Sequence, residues 1–336
     1  MIQKRKGILF MIKLGILGAG GIARMMVRTV KGMNDSGDDS VLLYGIGSRD
    51  IKKVEEFARE NDIPKFYGSY EDLVSDEDID LIYIASPHSH HYEHIKLCLE
   101  HGKNVLCEKA FTVNAEMAKE VCRIAEEKGL VLAEAIWPRY QPSRKLINDI
   151  VAKGLIGEPK IVTANLAYDI DEVPRLVRKE LAGGALLDVG VYTINFAEMI
   201  FGHPDRIKAQ CSYAPTGVDE TTSLLFEYDD GRRAILYSST LGLSDRFGYV
   251  YGTEGFIQVE NINNPQCIRV FKDYEVIEEI PVEPQITGYE YEVREVARCI
   301  ENGIKEAPSM PHSETIKVLE EMDEIRAQLN ITYPFE

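Results

Sequence analysis

At 336 residues the chain exceeds what one hydrophobic core usually serves, so two domains are expected. Apolar residues make up 45% and charged ones 28%, too apolar for disorder, and 55 acidic against 38 basic side chains give a net charge of −17 that argues against nucleic acid or an anionic membrane as the main partner. Six cysteines without a Cys-x-x-Cys pair indicate neither a zinc ribbon nor a redox dithiol and suit reduced thiols in a cytoplasmic protein.

The chain starts with basic residues and the short apolar run Ile8 to Ile12, which Lys13 interrupts. No small-residue cleavage site follows, so it makes a poor signal peptide, and either Met1 or Met11 suits as the initiator. From Lys13 a short strand, Leu14 to Leu17, leads through a glycine turn into Ile22, Met26 and Val30 at helical spacing. A strand at Val41 to Ile46 precedes a helix around Val54 and Phe57, and the apolar run Leu81 to Ala85 ends at Ser86-Pro87. A helix carrying Ile95, Cys98 and Leu99 stops at Gly102, Asn104 to Cys107 forms another strand, and Asn114 caps a helix that Gly129 closes. Alternating strands and helices, apolar on both strand faces, predict a doubly wound parallel α/β sheet over residues 11–136.

Gly18-Ala19-Gly20-Gly21-Ile22-Ala23 matches G-x-G-x-x-A between the first strand and first helix, the context in which this Rossmann fingerprint binds a dinucleotide. Gly18 permits the turn, Gly20 lets the backbone approach a pyrophosphate, Gly21 and Ile22 present helix N-terminal amides, and Ala23 allows close packing. At the end of the second strand, Ser48 and Arg49 suit a 2′-phosphate, which favours NADP over NAD, although Asp50 competes as a ribose ligand.

After Trp137 the pattern changes. A helix around Leu146 to Val151, a strand from Lys160 to Leu166, alternating strands between Ile207 and Val270, and helices at Tyr289 to Ile300 and Ser313 to Leu329 predict an α+β domain with a mainly antiparallel, open-faced sheet over 137–336. A ligand is expected between the two units. Within the second, Gly183 to Tyr192 sets Asp188 and Tyr192 four residues apart in an apolar helical run; an acid/base site and a buried Asp–Tyr hydrogen bond are both open. Ala182 to Gly202 is long enough to span a membrane, but Asp188 and Glu198 would each cost about 2.5–3.5 kcal/mol there, so a half-buried helix is expected.

Four separated signatures resemble the Gfo/Idh/MocA oxidoreductase family: Gly18 to Ala23, Ala85-Ser86-Pro87-His88-Ser89-His90-His91, Gly102 to Lys109, and Gly183 to Tyr192. Tyr192, and the segment Glu134 to Pro142 with Trp137 and Arg139, look like the branch that includes dimeric dihydrodiol dehydrogenase, xylose dehydrogenase and glucose-fructose oxidoreductase. The resemblance implies hydride transfer between NAD(P) and a hydroxyl-bearing carbon of a sugar, inositol or trans-diol. It implies that Lys109, Asp188 and Tyr192 are catalytic, that Ser86, Pro87, His91 and Glu108 lie by the nicotinamide, that Trp137 and Arg139 line the substrate pocket, and that copies pair through the C-terminal sheet. Tyr192 would be the acid/base, its phenol drawn down by the Lys109 ammonium, since a charge about 4 Å away is worth about 4 kcal/mol at an effective dielectric of about 20. Asp188 would hold the substrate hydroxyl or orient Lys109, or itself be the base. No metal is expected, because His88, His90 and His94 lack an accompanying acidic or cysteine ligand set. Members usually read Glu-Lys-Pro where this chain has Ala110; a non-proline cis bond costs about 2.5–4 kcal/mol, so a trans or strained bond is expected there. A catalytically silent dinucleotide-binding regulator is the alternative function.

Overall fold

Strands with apolar side chains on both faces need helices on both sides, and the first half of the chain supplies them. The computed structural model describes residues 11–336, so the choice between Met1 and Met11 and the apolar residues before Met11 lie outside the described residues. Strands β1 (Ile12–Leu17), β2 (Val41–Gly47), β3 (Lys65–Tyr67), β4 (Leu81–Ile84), β5 (Asn104–Glu108) and β6 (Leu132–Ala135) form a parallel sheet in the order β3-β2-β1-β4-β5-β6. Helices α1 (Gly21–Asp35), α2 (Ile51–Glu60), α3 (Tyr70–Ser75), α4 (His91–Glu100) and α5 (Ala115–Lys128) connect them. All four residues of β4 are buried. The order reverses between β1 and β4, which opens a crevice at the carboxyl ends of these strands. Local signals set the helix ends: Asn114 Oδ1 accepts from the Met117 amide, and Gly129 closes α5 at φ +66°. The short pair β3 and α3 had no clear periodicity in the sequence.

Helix α6 (Pro142–Ala152) leads to the second sheet, made of β7 (Pro159–Ala167), β8 (Arg206–Tyr213), β9 (Asp219–Glu227), β10 (Arg233–Ser239), β11 (Gly248–Gly252), β12 (Phe256–Glu260), β13 (Cys267–Lys272) and β14 (Glu275–Pro281). Its order is β14-β13-β12-β11-β7-β10-β9-β8, antiparallel throughout except for β7 beside β10. Helix α7 (Val191–Phe201) packs on β7 and β10. On the opposite face Ile161, Ile235 and Tyr237 remain exposed.

The run containing Asp188 is not one regular helix. Leu186–Gly190 forms a π-helical turn that passes directly into α7. Asp219 Oδ2 accepts the Leu186 amide at its start, one way the extra residue is accommodated. Lys179–Phe201 is the one stretch among the described residues long and apolar enough to cross a membrane, with mean hydropathy 1.3, yet 89% of its apolar window is buried inside the fold.

The last two helices, α8 (Glu290–Asn302) and α9 (His312–Leu329), return to the first sheet. Helix α8 packs against α1, β2 and β5, and α9 against α5 and β8. Arg294 pairs with Asp38 at 2.7 Å across this contact, and the hydroxyls of Thr29 and Thr287 meet at 2.6 Å.

Candidate active site

The turn after β1 faces the crevice. Gly18 has φ +109°, and a Cβ there would stand 2.9 Å from the Ala85 carbonyl at the end of β4, so only glycine fits. Beside Gly20 and Gly21 there is open space. Gly20 caps α1 without a side chain, and no acidic residue occupies its first turn, which leaves the helix amides available to an anion. Ala23 is fully buried against the sheet.

Ser48 and Arg49 line the same cleft with Lys53 and Tyr70. Asp50 is engaged elsewhere: its Oδ1 accepts the Lys52 and Lys53 amides, both at 3.1 Å, as the cap of α2. The carboxylate that competed for a ribose in the sequence reading is therefore committed to the helix.

Beyond β4, Ser86 and Pro87 border the cleft, and so does His88, for which the sequence suggested only a weak metal role. His91 does not border it. Its imidazole is completely buried, with Nε2 2.8 Å from the Ser86 carbonyl and Nδ1 2.8 Å from the Ala110 carbonyl, so it ties two loops together behind the cleft. Burial lowers the pKa of His91 to about 4, against the two carbonyl acceptors that favour its charged form, and burial with the nearby Lys109 charge lowers that of His88 to about 3, so the His88 ring is neutral at physiological pH.

At the end of β5, Glu108 accepts hydrogen bonds from the Tyr83 hydroxyl and, at 3.2 Å, from the Lys109 amide; burial raises its pKa to about 6. The Lys109–Ala110 peptide bond is cis, where the absence of proline suggested trans or strained. Lys109 Nζ donates to the Asp188 carbonyl at 2.7 Å and to Asp188 Oδ1 at 3.1 Å, and lies 5.0 Å from the centre of the Tyr192 ring.

Asp188 collects cations. Besides Lys109, Arg175 Nη1 reaches Oδ1 at 2.8 Å and Nη2 reaches Oδ2 at 3.4 Å, and His88 Nε2 lies 3.9 Å from Oδ1. Burial opposes its ionisation, but Lys109 and Arg175 outweigh burial and hold the carboxyl well below the usual carboxylate range. No Asp188–Tyr192 hydrogen bond occurs among the described residues, and a saturated, strongly acidic carboxylate is a poor base.

Arg175 escaped the sequence reading because it sits on an irregular loop with no motif. The glycines that did stand out explain its position. A Cβ on Gly183 would collide with the Leu176 carbonyl, and one on Gly184, at φ +113°, with Asp219 Oδ1. The Gly184 amide donates to that Leu176 carbonyl at 2.9 Å, and His88 Nδ1 meets the Ala182 carbonyl at 3.1 Å, so the loop folds onto the cleft and aims Arg175 at Asp188.

Tyr192 borders the cleft at 8% exposure. Burial pushes its phenol well up, with Tyr289, Glu108 and Asp188 adding to the effect. The expected downward pull of Lys109 fails because Asp188 neutralises that ammonium and burial penalises phenolate. Trp137 stacks on Tyr289 with ring centres 4.3 Å apart and planes 8° from parallel, and donates to Asn263 Oδ1 at 2.9 Å. It stands behind Tyr289 and Asn263, which with Tyr168 and Ile170 form the wall itself. Arg139 is not part of that wall. It is 2% exposed and gives its guanidinium to Asn195, Glu198 and Glu314 between α7 and α9.

The resulting cleft, about 620 Å³, runs from Gly18 past Lys109 to Tyr289, a size suited to a small ligand. A glycine turn at a sheet switch point, joined through one cleft to a lysine, a carboxylate and a phenol, defines an NAD(P)-dependent oxidoreductase acting on CH–OH groups. Residues 12–136 match the family described as "Oxidoreductase family, NAD-binding Rossmann fold", and residues 145–258 match the GFO/IDH/MocA C-terminal domain. The trans-1,2-dihydrobenzene-1,2-diol dehydrogenase of Xenopus tropicalis is 36% identical over 331 residues, 96% of this chain and 99% of that protein. The Homo sapiens protein of the same name is 34% identical over 303 residues, 87% of this chain and 90% of its own. The chain belongs to the Gfo/Idh/MocA oxidoreductase family. In fold it is similar to the 3-ketoreductase KijD10 of Actinomadura kijaniata, solved with NADP and TDP-benzene, with a TM-score of 0.85 at 21% identity over 95% of this chain and 98% of that one.

Gly184→Ala is expected to destabilise the fold by about 1–3 kcal/mol through overpacking against Asp219 and to lower turnover with it. Urea unfolding measures the first effect; an unchanged midpoint would show that the loop tolerates a Cβ.

Proposed function

We propose that the protein interconverts a hydroxyl-bearing carbon of a sugar, inositol or trans-diol and the corresponding carbonyl, with Tyr192 moving the proton and NADP(H) preferred over NAD(H). The observation that carries this reading is Lys109 Nζ, bonded to Asp188 and 5.0 Å from the Tyr192 ring centre, in the cleft that the glycine turn opens. The uncapped N-terminus of α1 and the open space beside Gly20 and Gly21 suit a pyrophosphate, and the same cleft extends to Lys109. Bound there, a nicotinamide supplies or accepts the hydride.

The roles of the side chains follow from charge. A phenol that burial keeps protonated is a donor, so in carbonyl reduction Tyr192 gives its proton to the oxygen as the hydride reaches carbon. In oxidation Tyr192 takes the hydroxyl proton only after its own proton has left to solvent, and the Lys109 ammonium, 5.0 Å from the ring centre, stabilises the phenolate so formed. Asp188 holds the lysine in place, with Arg175 as its second cation. Tyr168, Tyr289 and Asn263 offer a ring-sized wall with polar edges, suited to a cyclic polyol. The retained Lys109–Asp188 pair beside Tyr192 favours turnover over a silent dinucleotide-binding role.

NADP is preferred in this reading because Arg49, Lys53 and Ser48 bring two positive charges to one end of the cleft while Asp50 caps α2. The protein is assigned to the cytoplasm on its six free cysteines. Two copies are inferred to pair through the open face of the second sheet, where Ile161 (39%), Ile235 (52%) and Tyr237 (44%) are exposed.

Tyr192→Phe and Lys109→Met are each expected to cut turnover by about 10²–10⁴-fold with dinucleotide affinity nearly unchanged, followed by nicotinamide absorbance over a panel of sugars, inositols and trans-diols. Wild-type turnover in either variant sinks the assignment. Arg49→Ala is expected to weaken NADPH by about 10–100-fold, the worth of a charge-assisted hydrogen bond, and NADH far less; equal losses remove the 2′-phosphate argument. Sedimentation equilibrium should find a dimer for the wild type and a monomer for Ile235→Asp, and a wild-type monomer would refute the pairing.

A further inference from the structure

Behind the cleft, at the far end of the helix that begins beside Asp188 and Tyr192, a second group of ionisable side chains converges. Glu198 lies in the last turn of α7, His203 follows the glycine that ends it, and Glu314 and Glu321 stand on one face of α9. Arg139 organises them. Its Nη2 donates to Glu198 Oε2 at 3.1 Å and its Nη1 to Glu314 Oε2 at 2.9 Å. The other oxygens of both carboxylates face the imidazole: Glu198 Oε1 is 3.4 Å from His203 Nδ1, and Glu314 Oε1 is 3.6 Å from Nε2. His203 Nδ1 also lies 2.8 Å from Glu321 Oε1.

Two oxygens in this group have no hydrogen-bond donor: Glu198 Oε1, on a side chain that is 0% exposed, and Glu321 Oε2, on one that is 5% exposed. A buried carboxylate oxygen without a partner is costly, and a cation is the partner that answers it. Formal charge leads the same way. Three carboxylates against one guanidinium leave two negative charges, which a divalent cation cancels with the imidazole as a neutral ligand.

We propose that Glu198, His203, Glu314 and Glu321 bind one divalent transition-metal ion, Zn²⁺ by preference, which ties α7 to α9 behind the catalytic face. Imidazole nitrogen with carboxylate oxygen is a zinc-type donor set, and one oxygen of Glu198, one of Glu314 and one nitrogen of His203 already lie within 4.8 Å of one another. Bonds of about 2.1 Å in a tetrahedron separate ligands by about 3.4 Å, the distance found between Glu198 Oε1 and His203 Nδ1. Arg139 orients two of the carboxylates from outside, as supporting residues of metal sites do. His203 and Glu314 are 27% and 35% exposed, which gives an ion its way in.

The test titrates the chelator-stripped full-length protein with Zn²⁺ by calorimetry and with Co²⁺ by visible absorption. One equivalent of saturable binding, a Co²⁺ ligand-field band and a raised melting temperature are expected, with affinity at least about 10-fold weaker in His203→Gln and Glu198→Gln and unchanged in the remote control His101→Gln. Absence of saturable wild-type binding overturns the site, whether or not the variants fold; the charges are then balanced by protons on His203 and between the glutamates. Binding of unchanged affinity in both variants also overturns it, because the ion then sits elsewhere.

Discussion

The carboxylate of Asp188 is the buried point at the cleft where the two halves of the molecule are held to one another electrically. Lys109 reaches it from the end of the first sheet and Arg175 from the loop that leaves the second. It is buried, and removing one partner from a buried ion pair costs about 3–5 kcal/mol because the other charge is left alone. The lysine is therefore fixed next to Tyr192, and the loop that carries Arg175 is drawn over the cleft.

Glycine makes the contact sterically possible. The pair Gly183-Gly184 lets the loop fold against Leu176 and Asp219 so closely that a methyl group would not fit at either position. Gly18 does the same on the other side of the cleft, where the backbone passes the Ala85 carbonyl. At Gly18 and Gly183 backbone approaches backbone, and at Gly184 it approaches the Asp219 carboxylate.

Burial decides the protonation of the site. His88 stays neutral because a charged imidazole would lose too much hydration, and the same cost keeps the Tyr192 phenol protonated. Asp188 alone defies the trend, because two cations surround it. The result is a protonated phenol next to one carboxylate shared by two cations.

Local pattern was enough for the sequence to show the alternating strands, the capped helices, the dinucleotide turn and the separate β-rich half. Each of these depends on a few adjacent residues: Gly18 to Ala23 for the turn, Asn114 and Gly129 for the helix ends, alternating apolar positions for the strands. Their four-residue spacing in an apolar run singled out Asp188 and Tyr192, and the resemblance to a family added Lys109. What no local pattern contained was the pairing of groups distant along the chain. Arg175 belongs to an irregular loop, His91 and Arg139 have polar side chains that suit a pocket as well as a core, and α8 and α9 return to a sheet completed long before them. Only the tertiary structure could decide these, since burial and charge compensation are properties of neighbours in space, and they determine which polar side chains bind a ligand and which hold the protein together.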